Sequence, residues 1–188
     1  NQFRNRETSY TIFRYKMALT LSILIATMPS RLDKLDSLMA ELNKQCNPYP
    51  EQIEILIDPV ISYNIGTKRN KLLEKAKGDY IVFIDDDDHI FPNYTWSIIQ
   101  ACSIGNDCIG ISGIITTNGK NQRQWHISKE YGKWHQSGSI YYRTPNHISP
   151  VKRELALQAG VRKIAFAEDA ASDVTLLSII SVSKIVLL

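Results

Sequence analysis

Four aspartates, Asp85, Asp86, Asp87 and Asp88, follow directly on the apolar run Tyr80-Ile81-Val82-Phe83-Ile84. Carboxylates so close repel one another by about 1 kcal/mol or more per pair even at a fairly high effective dielectric. Unpaired, some of them must take up protons. A divalent cation removes the difficulty. Extended backbone turns Asp85 and Asp87 to one side and Asp86 and Asp88 to the other. An alternating pair can then hold a hard cation through oxygen and leave positions open for the oxygens of a diphosphate. The competing reading is a solvated acidic turn. A further carboxylate, Asp58, closes the run Ile53 to Ile57, and an acidic pair, Glu168-Asp169, comes late in the chain. A carboxylate set against a reacting hydroxyl can take its proton. The alternative for that pair is a helix cap.

The other chemistry-bearing residues are less organised. His89 follows the aspartates and could reach a metal, although a loop histidine there is as well explained by proximity alone. His126 and His135 show no metal-ligand spacing and read as surface or packing residues. His147, beside Pro145 and Asn146, is a candidate for lining a site. Trp125, Trp134, Tyr141 and Tyr142 could stack on a sugar or pack in a core. Cys46, Cys102 and Cys108 have no C-x-x-C spacing and read as free thiols in a reducing compartment.

These residues need a scaffold, and the hydrophobic pattern supplies one. Leu19 to Ala26 predicts a first strand. Leu32, Leu35, Leu38, Met39 and Leu42 recur at helical spacing, with Ser30 as the expected N-cap and the helix running to Lys44. Ile53 to Ile57 predicts a second strand, stopped by Asp58-Pro59. A second helix spans Lys68 to Lys77, opened by Gly66-Thr67 and closed by Gly78. Lys68 reads as a solvated residue of that helix, and Arg69 as either a surface arginine or a ligand. Tyr80 to Ile84 is almost wholly apolar, which suits a central strand, and a third helix covers Tyr94 to Ser103. Alternating strands and helices mean an α/β fold with a parallel sheet and right-handed crossovers. Ligands in such sheets bind beyond the carboxyl ends of the strands, where Asp58 and Asp85 to Asp88 both fall. Later elements are a strand over Cys108 to Thr116, a turn at Asn118-Gly119, a strand over Gly138 to Tyr142 and a short helix from Arg153 to Ala159 closed by Gly160.

Several of these segments together resemble family-2 glycosyltransferases of the GT-A fold. The segments are LSILIATMPSR (Leu21 to Arg31), EILID (Glu54 to Asp58), GTKRN (Gly66 to Asn70) and AKGDYIVFIDDDDHIFP (Ala76 to Pro92). Their order and spacing match from Leu21 to Pro92. The resemblance implies a Rossmann-like, mostly parallel sheet flanked by helices, and transfer of a hexosyl group from a nucleotide-diphospho-sugar, a UDP-sugar first of all. It implies that Asp58 contacts the uracil or ribose, that Ala26, Thr27 and Arg31 line the nucleotide pocket, and that Arg69, Asp85 and Asp86 lie at the nucleotide. It assigns manganese or magnesium to Asp87 foremost, with Asp85 and Asp88. It assigns the acceptor side to the second half, where Asp169, with Glu168 beside it, is the general base of an inverting transfer; of the residues weighed above, His147 and Trp134 are the acceptor-side candidates. Asp58-Pro59-Val60 departs from the family, which often has two aspartates followed by Gly-Ser there.

Two other classes compete. A nucleotidyltransferase would also cluster carboxylates, but it usually has a glycine-rich phosphate loop after the first strand, and Ala26-Thr27-Met28-Pro29-Ser30 has no glycine. A non-catalytic nucleotide-sugar-binding module is the other, favoured by the apolar tail Leu176 to Leu188. The formal charge of +3 does not point to nucleic acid. The acceptor is a hydroxyl on a glycan, a lipid-linked carrier, a protein or another molecule. The reading divides the chain into a polar leader, 1–16, outside the fold, and a glycosyltransferase domain, 17–188, with a nucleotide-sugar half (17–103) and an acceptor half (104–188) open to truncation. With no apolar run of membrane-spanning length, the expected location is cytoplasmic, with peripheral membrane attachment as a variant.

Overall fold

The computed structural model describes residues 20–117, 119–160 and 183–185. Three parallel strands form the first half of the sheet: β1 (Leu21–Ala26), β2 (Ile53–Asp58) and β3 (Tyr80–Phe83). β1 lies between the other two, with Ala26 paired to Asp58 and Leu24 to Phe83. Helices α1 (Leu32–Cys46), α2 (Ile65–Lys75) and α3 (Tyr94–Cys102) connect and flank them. Strand alternation divides the core. Ile23, Ile25, Val82 and Ile84 pack with Leu35, Leu38 and Leu42 of α1 and Ile98 of α3. Leu24, Ile81 and Phe83 face the other way, onto Leu72 and Leu73 of α2. Each such fully buried aliphatic side chain contributes roughly 1.5–3 kcal/mol.

The second half makes the sheet mixed. β4 (Cys108–Thr117) and β5 (Lys120–Ile127) form a hairpin, and β6 (His135–Ser137) and β7 (Ile140–Arg143) extend it. The two-residue strand β8 (Val151–Lys152) runs antiparallel between β3 and β4, giving the order β2-β1-β3-β8-β4-β5-β7-β6. β9 (Ser183–Ile185) pairs parallel with β4. α4 (Arg153–Ala159) closes at Gly160, which takes φ +65 as a helix-ending glycine does. Among the described residues no helix is long and apolar enough to cross a membrane.

Several local expectations change. The predicted strand over Gly138 to Tyr142 is found as β7, its start moved to Ile140 because Gly138, at φ +58, lies in the turn between β6 and β7. Ser30 does not cap α1: Pro29–Arg31 forms a 3-10 turn, and Arg31 occupies the cap position without a side-chain cap bond. α2 is capped by Asn64, whose side chain accepts from the Thr67 amide at 2.8 Å. It ends at Lys75, before Gly78. Gly78 matters for a different reason: a Cβ there would stand 2.7 Å from the Ser22 amide nitrogen of β1. Ser22 is wholly buried at that crossing; its hydroxyl accepts from the Gly78 amide at 2.9 Å and donates to Glu54 at 2.6 Å. The three cysteines are free, as expected, and burial pushes the Cys102 and Cys108 thiols up to about 12.

Candidate functional site

Three chain segments meet beyond the carboxyl ends of β1, β2 and β3. After β1 the backbone stays tied to β2, with the Thr27 amide donating to the Asp58 carbonyl at 3.0 Å. The Asp58 carboxylate folds back and accepts from the Val60 amide at 2.9 Å, an Asx-type turn that lets Pro59 follow. Asp58 is therefore buried, not exposed at a strand end as its position in the sequence suggests. Lys68, expected to be solvated, is also buried and donates to the Thr27 carbonyl. Its place one turn before Leu72 puts it on the inward face of α2.

The aspartates do not alternate across a strand. β3 ends at Phe83, and the run bends into a turn in which the Asp88 amide donates to the Asp85 carbonyl at 3.0 Å. The turn sends Asp86 and Asp87 together toward the start of α1. Asp86 is buried, accepts from the Thr27 hydroxyl at 2.6 Å and meets the Arg31 guanidinium at 2.5 Å. Asp87 lies 2.8 Å from the same guanidinium and 3.5 Å from Lys34. Asp85 turns the other way, to Arg69 at 3.1 Å and His147 at 3.5 Å. The repulsion inferred from the run is thus relieved by protein cations at three of the four positions.

The carboxylates differ accordingly. Burial pushes Asp85 up, but the hydrogen bond and charge of His147, followed by Arg69, outweigh it and bring Asp85 down to about 2. Asp88 has no Lys or Arg paired with it among the described residues. The surrounding protein and then the neighbouring Asp85 raise it to about 6. Arg31 is raised, first by its hydrogen bond to Asp86.

Thus Ala26, Thr27, Arg31, Asp58, Arg69, Asp85, Asp86, Asp87, Asp88 and His147 come together at the carboxyl ends of β1, β2 and β3. Trp134 stands apart on the β5-β7-β6 wing, half-exposed, its indole N–H donating to the Thr144 hydroxyl at 2.9 Å. His89 is exposed. Glu168 and Asp169 lie outside the described residues. Lys34 was not anticipated; its spacing one helical turn after Arg31 was the available signal. Among the described residues no three His, Cys, Asp or Glu side chains are gathered as a metal-binding group.

Residues 32–163 match the family model for glycosyl transferase family 2. No curated protein sequence matches the chain. Among solved structures, TarS residues 1–349 from S. aureus is similar over 89% of this chain and 58% of that one, at 15% identity and a TM-score of 0.66. The same protein in complex with UDP gives 14% identity and 0.66, again over 89% and 58%. Its complex with UDP-GlcNAc gives 13% and 0.64, over 89% and 56%. The chain therefore spans somewhat over half the length of that crystallised piece, and shares its α/β, GT-A-type fold.

Proposed function

The chain belongs to glycosyl transferase family 2, and from that premise we propose that it takes part in transfer of a sugar from a UDP-sugar to an acceptor hydroxyl. The observation that carries this reading is the convergence of Asp58, Thr27 and Asp85 to Asp88 at the carboxyl ends of β1, β2 and β3. The binding of UDP and UDP-GlcNAc by the similar TarS supports the choice of donor. Asp58 and the Ala26-Thr27 turn take the base and ribose. Arg69 and Arg31 take the diphosphate, which competes with Asp85 and Asp87 for their guanidiniums.

The residues suit a manganese or magnesium ion in part. The carboxylates of Asp85, Asp87 and Asp88 offer the oxygen atoms a hard cation prefers, and Asp88 has no Lys or Arg paired with it among the described residues. A site of one or two carboxylates completed by phosphate oxygens is the usual magnesium pattern. When bound, such a cation stabilises the charge left on the diphosphate. On the chain itself, Lys68 fixes the Thr27 carbonyl, and Thr27 and Arg31 hold Asp86. His147 orients Asp85 from the acceptor side. Asp169 takes the proton from the attacking hydroxyl opposite the leaving diphosphate, which inverts the anomeric centre, and Glu168 supports it.

The test is calorimetric. UDP should bind the wild type, more tightly with manganese, and Asp58→Asn should weaken it by roughly tenfold, the worth of one charge-assisted hydrogen bond. Undetectable binding of UDP, with or without manganese, would count decisively against the reading. Assays with a panel of UDP-, GDP- and TDP-sugars then define the donor.

A further inference from the structure

The wing β5-β7-β6 carries a row of alternating cations and rings that the donor site does not use. The Arg123 guanidinium lies 5.5 Å from the centre of the Tyr141 ring and donates to its hydroxyl at 3.1 Å. Arg143 lies 6.0 Å from the same ring and 4.9 Å from that of Trp134. The order Arg123, Tyr141, Arg143, Trp134 follows from the sheet: Tyr141 pairs with Trp125 and Arg143 with Ile127 across β5 and β7. Neither arginine is paired with a carboxylate among the described residues. The same stretch of sequence carries Lys120, Lys129 and Lys133, while Glu130 is the one carboxylate between Thr117 and Pro145.

Arg123 gives one N–H to the Tyr141 hydroxyl; its remaining N–H groups and those of Arg143 match the geometry of an anionic oxygen pair. We propose that this row is the docking surface for the acceptor, and that the acceptor is an acidic glycan chain. Its anionic groups meet Arg123 and Arg143, and a sugar ring lies on the half-exposed face of Trp134. Charge complementarity selects an acidic chain over a neutral one. Both guanidiniums approach the Tyr141 ring, at 5.5 and 6.0 Å, which disfavours that ring as a platform for a nucleobase. The place also fits. Past Arg143 the chain runs through Thr144, the hydrogen-bond partner of Trp134, to His147, which contacts Asp85. His147 thus stands four positions beyond Arg143 in the chain, and in this proposal the docked glycan extends toward the aspartate turn. The inference rests on the glycosyl-transfer reading for what the docked chain is used for, but not for its binding.

Fluorescent penta-galacturonate, maltopentaose and a thymidine pentanucleotide serve as acidic, neutral and nucleic-acid probes, with UDP binding measured on the same samples. Penta-galacturonate should bind the wild type best. Arg123→Gln with Arg143→Gln should weaken it by roughly tenfold to a hundredfold, one charge-assisted contact being worth at least tenfold. Trp134→Ala should weaken it separately, and Arg143→Lys should restore only part of the double variant's loss. UDP affinity and melting temperature should be unchanged in Trp134→Ala and Arg143→Lys, which guards against misfolding. Equal affinity for the acidic and neutral probes, tighter binding of the pentanucleotide, or full acidic binding by the double variant would each overturn the proposal. Loss of UDP binding in the wild type, with the acidic preference intact, would instead remove the donor reading and leave this surface standing.

Discussion

The Arg31 guanidinium and the Asp86 carboxylate meet at 2.5 Å, joining the start of α1 to the turn that follows β3. Asp86 is buried, and its other oxygen accepts from Thr27. Removing the arginine leaves a buried carboxylate with one hydroxyl for company. Exposed ion pairs contribute about 0–1 kcal/mol and breaking a buried one costs about 3–5. Because a third of the Arg31 side chain is exposed, Arg31→Ala should cost about 1–3 kcal/mol in urea unfolding, between those limits. Arg31→Ala combined with Asp86→Asn should recover most of that loss. A double variant no more stable than Arg31→Ala would show that the pair does not hold the turn.

The two outer aspartates set opposite pH dependences in the metal-free protein. Asp85 titrates at about 2 instead of 3.8, so the folded state favours its charged form. Its contribution is complete above the ordinary carboxylate range and is lost as pH falls toward 2. Asp88 titrates at about 6, so the folded state favours its protonated form. That contribution is present below pH 4 and lost as pH rises through 6. Melting temperature in EDTA should therefore rise from pH 7 to about 4.5 on account of Asp88 and fall below about 4 on account of Asp85. Asp88→Asn should flatten the upper arm alone. Exposure of Asp88 to solvent makes that arm small.

The donor-side half of the fold was legible because its strands are continuous apolar runs and its helices carry an inward stripe. The wing was legible only in part. β5 reads Lys-Asn-Gln-Arg-Gln-Trp-His-Ile, polar and largely exposed, so no hydrophobic alternation announces it. β8 has two residues, of which Val151 alone is apolar. At the site, the residue types were visible but their directions were not. Asp85 to Asp88 were assigned to alternating faces on the premise that the strand continues, whereas β3 stops at Phe83 and a turn sends Asp86 and Asp87 to the same arginine. Asp58 is buried because its side chain returns to the Val60 amide, a local bond that a strand-end position in the sequence does not reveal.

Gly78 tests the sheet beneath the crevice. With 2.7 Å between the position a Cβ would take at Gly78 and the backbone nitrogen of Ser22, the obstacle is main chain at the start of β1 and cannot rotate away. Gly78→Ala should destabilise by about 1–3 kcal/mol, the usual cost of overpacking. UDP affinity at saturating folded fraction should be unchanged, since Gly78 lies before β3 and the aspartates after it. A neutral Gly78→Ala variant in thermal unfolding would mean that the crossing of α2 onto β1 is looser than its hydrogen bonds imply.

Asp169 separates transfer from binding. We propose it as the general base; it lies outside the described residues, so kinetics must decide. Asp169→Asn keeps the size and most hydrogen bonding of the carboxylate but cannot accept a proton at neutral pH. A positioned general base contributes roughly 10²–10⁴-fold, so transfer should fall by that factor. UDP-sugar affinity should barely change, because the base acts on the acceptor in the transition state and not on the bound donor. Glu168→Gln should cost less than Asp169→Asn in the same assay. If Asp169→Asn transfers as fast as wild type, the base is another residue, and the contact between His147 and Asp85 makes the His147 side of the crevice the first place to look. If the wild type binds UDP-sugar but transfers to no acceptor, acidic glycans included, the chain acts as a nucleotide-sugar-binding module, and the aspartate turn is a recognition site without turnover.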